Sequence, residues 1–317
     1  MKQTKTVGNA QHLESLFPSP EEGVKTFSSF WSSPEKFADQ VEKMDRSKAW
    51  SDSAWDTDSG DWYGTKSLQE AIDLVHKGWK EGVDKVERLR GAIVAQTPMQ
   101  LKPAKFGIVG SVPSVPRAVS GNPLNMKTVD PKKSSKRPII TLISDMSANC
   151  SHSSAEFVNR AAVVAALIDQ IEAAGYSCEV IATAYGQCGN FRIKSHVVVK
   201  DSNQPVDVAR LAFGIGHPGM FRRLIFAEWG HDHFNEDLGY GLGYNHRIVI
   251  GSEEQIKLAE KHMYVLPSIN SNRFFATEES AETKGLTFIL QSLRAQKFPC
   301  FTYKGLPEED IPGTSDD

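Results

Sequence analysis

A mostly parallel, doubly wound α/β sheet preceded by a helical region is the fold class this sequence predicts, and three observations carry that reading. Residues 138–149, PIITLISDMSAN, run through branched apolar side chains and end in Asp145, with a helical pattern directly behind. The alternation continues to about residue 296 in segments of strand and helix length. Such a rhythm buries a mostly parallel sheet under crossover helices. The stretch 26–95 instead shows helical periodicity almost throughout.

Residues 1–25 are polar and mixed and read as a flexible lead. Ser33 caps a helix with Pro34 in its first turn, and Phe37, Val41 and Met44 share one face. Ser67 followed by Glu70 is a capping-box pattern, Gly78 ends that helix, and a further helix covers roughly 81–94. Five of the six tryptophans lie between positions 31 and 79, so 26–95 reads as a tryptophan-rich helical domain. Residues 96–137 form a Pro/Gly-rich connecting segment. Its part 102–137 holds eight Lys or Arg against one Asp. The apolar positions Phe106, Ile108, Val112, Val115 and Met126 suggest that this segment is tied down. The α/β domain then spans 138–305, with helix 154–173, strand 177–184, a strand at 194–199 that reads as half of a hairpin with 189–193, and helices 205–213 and 218–228. Strand 246–250, helix 253–262, a short strand at 264–266 and a helix or strand-helix mixture at 282–296 complete it, and 306–317 reads as an acidic disordered tail.

Composition narrows the function classes. The chain has 317 residues, 40% hydrophobic and 24% charged, with a net charge of −3. That is an ordinary globular balance with no global bias toward nucleic acid or membrane. The opening MKQTKTVGNAQ lacks the apolar core of a signal peptide, and no apolar run is long enough to span a bilayer. The four cysteines form no zinc spacing. A cytoplasmic protein with free thiols is the expectation. There is no G-x-S-x-G elbow and no phosphate-binding P-loop, and Gly107-Ile108-Val109-Gly110 is not a G-x-G-x-x-G and precedes a Pro-rich stretch, so the sequence does not support those enzyme classes.

The chemistry-bearing residues gather in four places. Asp145, Ser147 and Asn149 stand at alternate positions at a strand end, where their oxygens suit a hard divalent ion such as Mg2+. His231 and His233 flank Asp232, a second metal-ligating pattern if the backbone there is extended. His217 stands at a helix start before Pro218, with Arg222 and Arg223 a turn on, which suits an anion. Arg117, Lys132, Lys133, Lys136 and Arg137 offer a phosphate-binding stretch.

The Asp145 cluster resembles the metal-ion-dependent adhesion motif, D-x-S-x-S, of von Willebrand factor A-type domains, with asparagine in the last position. The resemblance implies a Rossmann-like doubly wound sheet with the motif atop its first strand. It also implies a threonine and an aspartate from later loops, for which Thr183 fits poorly and Asp232 or Asp237 is available. The blocks GTKSLQEAIDLVHKGWKEG at 64–82, VPSVPRAVSGNPLNM at 112–126 and GIGHPGMFRRLIFAEW at 214–229 resemble a group of uncharacterised proteins encoded mainly by bacteriophages. That resemblance implies a viral protein acting in the host cytoplasm.

Three functions are consistent with these residues. The first is a non-enzymatic module that binds a protein partner, with a divalent ion bridging Asp145 and Ser147 to the partner's acidic group. The second is binding of single-stranded DNA or RNA through the basic stretch. The third is a metal-dependent hydrolase built on His231, Asp232, His233 and Asp145. A membrane partner is not expected, and the sequence leaves the oligomeric state open.

Overall fold

The computed structural model describes residues 13, 25–45, 60–96, 106–109, 112–127, 139–148, 150–188, 191–232, 244–245, 253–269 and 273–298. Its first element is a strand, β1 (Lys25–Trp31), followed by α1 (Pro34–Glu42), α2 (Gly60–Tyr63), α3 (Leu68–Lys77) and α4 (Lys80–Gln96). A small unit comes next, with β2 (Phe106–Gly107), β3 (Val112–Pro113), α5 (Val115–Val119) and β4 (Met126–Lys127). The larger part contains β5 (Ile139–Asp145), α6 (Ser154–Ala173), β6 (Ser177–Cys188), β7 (Phe191–Lys200) and α7 (Val208–Gly216). A π-helical turn, Met220–Ile225, runs into α8 (Phe226–Asp232). After β8 (Tyr244–Asn245) come α9 (Glu253–Ala259), β9 (Met263–Leu266), α10 (Glu278–Ser280), a second π turn (Ala281–Gly285) and α11 (Leu286–Ala295).

The main sheet is mixed and mostly parallel. Its order is β1-β7-β6-β5-β9, with β8 attached to β6. β5 pairs parallel with β6 and β9, β1 pairs parallel with β7, and the β6–β7 hairpin is antiparallel. One face presents Ile140, Leu142, Val180, Ala182, Val197 and Val199 to a core shared with α6, α7 and α4. On the other face Ile143, Ile181, Val198 and Val265 pack with Leu258 of α9 and with Leu13. Helices therefore lie on both faces, as the sequence predicts.

Local chemistry accounts for the boundaries. In α1, Ser33 accepts the Lys36 amide at 3.2 Å and Pro34 occupies the first turn. In α3, Ser67 accepts the Glu70 amide at 3.1 Å, and the Gly78 amide closes the helix on the Leu74 carbonyl with φ 80°. In α6, Ser153 is the cap, and its amide donates to Glu156 Oε2 at 2.7 Å. The middle of α6, from Phe157 to Ile168, is buried without a break. A helix that is apolar on all sides belongs between two layers, and here the sheet lies on one side and α4 on the other. Arg90 of α4 grips Asp169 of α6 with two hydrogen bonds, one of 2.7 Å from Nη2.

Two differences from the sequence reading matter. Residues 25–31 form a strand, where helical character is expected from 26 onward. Phe27 and Trp31 pack toward the face covered by α4, α6 and α7 and Phe30 toward the face covered by α9, which is the period of two of a strand. The segment is short, and the helix cap at Ser33 follows at once, so periodicity alone does not separate it from the helix. The second difference concerns 106–126. Phe106 and Met126 are partly buried, but Ile108 and Val115 are exposed, so those two do not tie the segment down.

Candidate functional site

The carboxyl end of β5 is where an α/β sheet presents its polar groups, and the structure builds a closed polar cluster there. Asp145 is buried, and its Oδ1 accepts the Ser147 amide at 2.9 Å in a local turn. Asp145 faces Thr183 across the β5–β6 pairing, and Thr183 faces His196 across β6–β7. Thr183 Oγ1 and His196 Nδ1 lie 3.0 Å apart. Burial, and secondarily the Lys194 charge, push the His196 pKa down to about 3, so its ring is neutral.

Arg160 enters this cluster from α6. Its guanidinium is fully buried, with Nε donating to the Pro267 carbonyl at 2.9 Å and Nη1 to Ser144 Oγ at 3.0 Å. Burial lowers its pKa to about 10, and the Asp145 carboxylate works against that shift. A positive charge thus already stands beside the carboxylate that an A-type adhesion site would offer to a metal. Ser147 Oγ, Arg160 Nη2 and His196 Nε2 are buried without a hydrogen-bond partner among the described residues.

The divalent cofactor expected at Asp145 is not supported. Among the described residues, no group of three or more His, Cys, Asp or Glu side chains could hold a metal ion. Asp145 has Thr183 and Ser147 around it, neither of which carries charge, and Arg160 as its charged neighbour. The alternative metal pair fares similarly. His231 Nε2 accepts the backbone amide of Asp45 at 3.1 Å, which occupies one ring nitrogen in a structural contact. Asn149, His233 and the Asp232 side chain lie outside the described residues.

The arginine pair has a definite role. Arg222 and Arg223 are adjacent in sequence, yet both are fully buried. An α-helix would turn consecutive side chains about 100° apart; the wider π turn at Met220–Ile225 lets both point inward. Arg222 Nη1 donates to the Trp62 carbonyl at 2.7 Å and Nη2 to the His152 carbonyl at 3.1 Å. Its guanidinium also stacks 4.5 Å from the Trp62 ring and 5.1 Å from Phe157. Arg223 donates to the Thr65 carbonyl at 2.7 Å and lies 3.7 Å over the Tyr63 ring. The pair clamps residues 62–65 onto the loop after β5. That geometry serves the junction between two parts of the chain rather than an incoming anion.

His217 completes the same junction. Its Nδ1 accepts the Gly219 amide at 2.9 Å, as a cap at this helix start should. The ring lies stacked 5.0 Å from Phe213 and edge-on 4.5 Å from Trp79. Burial lowers its pKa to about 4, with a hydrogen bond to the Gly64 backbone opposing. A folded-state value below the ordinary one means stability is full above the unfolded pKa and is lost as pH falls. Each unit is about 1.4 kcal/mol. Wild-type protein is therefore expected to lose stability steeply between pH 6.5 and 4. In His217→Gln, which keeps an acceptor for Gly219 and a donor for Gly64, that loss should shrink by ~2–3 kcal/mol. Urea midpoints at several pH values read this, and parallel slopes in the two proteins would refute it.

Gly64 sits at φ 73°, and a Cβ there would fall 2.6 Å from Pro218 Cγ. Gly64→Ala is expected to destabilise the fold by roughly 1–3 kcal/mol, from the left-handed backbone and the close ring together. A thermal unfolding curve unchanged from wild type would remove Gly64 from this account.

The sequence blocks at 64–82 and 214–229 thus meet in space, through Gly64 on Pro218, Thr65 on Arg223 and Trp79 on His217. The third block, 112–126, is different. Its unit is a three-stranded sheet of its own, in the order β2-β4-β3, joined by the short α5. Arg117 stacks 4.0 Å over the Phe106 ring and donates to the Leu124 carbonyl at 3.3 Å. Around that small core the aliphatic side chains face out: Ile108 is 73% exposed, Val109 82%, Val115 67%, Val119 83% and Leu124 44%. Lys132, Lys133, Lys136 and Arg137 lie outside the described residues.

Sequence reasoning misses Arg160, His196 and this aliphatic surface. A lone arginine inside an apolar helix was the available signal for the first, and the unbroken V-P-x-V-P-x-x-V pattern for the last.

The sheet order and flanking helices define a mixed α/β domain of Rossmann-like type, consistent with an A-type topology. The chain belongs to the family described as Domain of unknown function (DUF7192), which matches residues 8–294. Neither curated proteins nor solved structures gave a match. Among the described residues, no helix is long and apolar enough to cross a membrane.

Proposed function

We propose that this protein is a non-catalytic module that binds a protein partner, and that it does so through the unit at 106–127. The observation that supports this reading is the crowding of exposed aliphatic side chains there. Five of the eight large hydrophobics that stand exposed among the described residues belong to this short stretch. Scattered exposed apolar residues are normal, whereas a cluster marks an interaction surface. The polar cluster at β5 supports the reading indirectly, because Asp145, Arg160 and His196 are buried away from solvent.

Nucleic acid is the second reading, from the basic stretch. The chemistry of the surface favours protein. Single strands are held by stacking on aromatic rings and guanidinium planes, and here Arg117 covers Phe106. Valine, isoleucine and leucine offer no such platform.

The blocks that resemble phage-encoded proteins direct the test to infected cells. Tagged wild-type chain and Val119→Asp would be purified from them side by side. A discrete protein retained by wild type and reduced at least tenfold in the variant, with equal thermal stability, is the expected result. Equal retention by both, or co-purification of nucleic acid alone, would sink the reading.

A further inference from the structure

Every other copy of this chain carries an aliphatic surface of the same size and chemistry as the one at 106–124. We propose, resting on the protein-binding reading above, that the partner of this surface is a second copy of the chain, in a weak two-fold dimer with the two patches packed face to face.

Three observations carry this. The first is charge. Between Phe106 and Met126 the sequence holds a single charged residue, Arg117, in a chain that is 24% charged. That guanidinium is laid over the Phe106 ring and donates to the Leu124 carbonyl. Charge is what lets a surface select an oppositely charged partner and reject its like. A patch this neutral carries no such penalty against its own image.

The second is packing. Among the described residues, no hydrophobic side chain between Ile93 and Ile140 is buried. The strands β2, β3 and β4 are two residues long each, and so small a sheet needs a layer packed on it. Val115 and Val119 stand one turn apart on the same face of α5, and both are exposed. In a two-fold contact each patch covers the other, and two half-layers close one core.

The third is area. A whole Val, Leu or Ile side chain carries roughly 100 Å² of apolar surface on the transfer scale. At their exposures Ile108, Val109, Val115, Val119 and Leu124 together offer roughly 350 Å². Pro113, Ala118 and Pro123, which adjoin them in the chain, are exposed as well. A standard interface takes about 800 Å² from each partner, a little over half of it apolar. The patch therefore matches a small contact that forms at micromolar concentration and dissociates on dilution, well short of an obligate dimer. A membrane fits less well. The exposed large apolar side chains among the described residues are all aliphatic, without the tryptophan and tyrosine that favour membrane interfaces.

Sedimentation velocity of the full chain, from low to high micromolar concentration, tests this. Wild type is expected to move from 35.0 kDa toward twice that mass. Raising the salt should not weaken the dimer, because its contact is apolar. Val119→Asp and Ile108→Asp should each raise the dissociation constant at least tenfold, and Lys257→Glu on α9 should leave it unchanged. Both aspartates replace exposed side chains, so the variants should unfold at the wild-type temperature; where one does not, the other decides. A monomer at every concentration overturns the second copy, while the capture from infected cells decides separately whether another protein uses the surface. A dimer that persists in both aspartate variants overturns the proposal by placing the contact elsewhere, and one that dissolves as salt rises overturns the apolar contact. Monomeric protein that binds oligouridine or phosphatidylserine vesicles, and loses that binding in Val119→Asp, overturns both this proposal and the protein-binding reading.

Discussion

Arg222→Ala is expected to be among the most damaging single substitutions in this protein, lowering the unfolding free energy by about 3–5 kcal/mol. The guanidinium is fully buried and joins three segments distant in sequence. It donates to the Trp62 carbonyl at 2.7 Å and the His152 carbonyl at 3.1 Å, and it stacks against the Trp62 and Phe157 rings. Alanine removes both donors, so two carbonyls lose their partner inside a dry junction, and it leaves a cavity between two aromatic rings. Burial lowers the Arg222 pKa to about 10, with the neighbouring acidic groups of Cys150, Glu156 and Tyr63 opposing. The group therefore stays charged at neutral pH, held by its surroundings. Arg222→Lys should recover only part of the loss, because an ammonium cannot reach two carbonyls as a planar fork while stacking on indole. Urea unfolding at neutral pH reads both variants. An alanine variant within about 1 kcal/mol of wild type would show that the junction at 62–65 does not depend on this clamp. Inorganic phosphate should leave the wild-type melting temperature unchanged, since both guanidinium groups are buried away from solvent; a rise would restore the anion reading of this pair.

Much of the sheet is legible from residue patterns alone. The run at 138–145 could be little other than a buried strand, and the capping residues Ser33, Ser67 and Ser153 mark helix starts that the structure places at Pro34, Leu68 and Ser154. The two strands after Gly175 are legible, but the hairpin is not: 194–199 is expected to fold back on 189–193, whereas β7 pairs antiparallel with β6, and both strands are longer than the expected 177–184 and 194–199. Both strands continue beyond the end of β5, where a residue-by-residue apolar count fails because Tyr185, Arg192 and Lys194 interleave with it. What is not legible is long-range. Nothing within KTFSSFW announces that Ser29 will meet Ser195, or that the Trp31 indole will donate to Glu228 at 2.8 Å. Those pairings place β1 at the sheet edge, and they depend on partners more than 160 residues away. The candidate site divides in the same way. Asp145 and Ser147 stand at the strand end as their spacing implies, but the identity of their charged neighbour depends on how α6 is rotated. Helical periodicity does not fix that rotation when every face of the helix is apolar.

The consequence of that rotation is the second large effect. Arg160→Met is expected to destabilise the fold by about 3–5 kcal/mol, because it leaves the buried Asp145 carboxylate without its compensating charge. Asp145→Asn alone should also be harmful, since it strands a buried guanidinium. The double variant is the informative one. With both charges gone, the loss should fall well short of the sum of the two singles, with a coupling of about 1–3 kcal/mol. Additive losses would mean that Asp145 and Arg160 are held by separate partners and do not answer each other. The same cycle bears on the correction of the metal site. If the arginine supplies the charge that a divalent ion supplies in an adhesion motif, Mg2+ and Ca2+ should leave the wild-type melting temperature unmoved. Arg160→Met should likewise not respond to Mg2+, because removing the arginine adds no ligand beside Asp145. A melting temperature raised by Mg2+ in wild type would reinstate the metal.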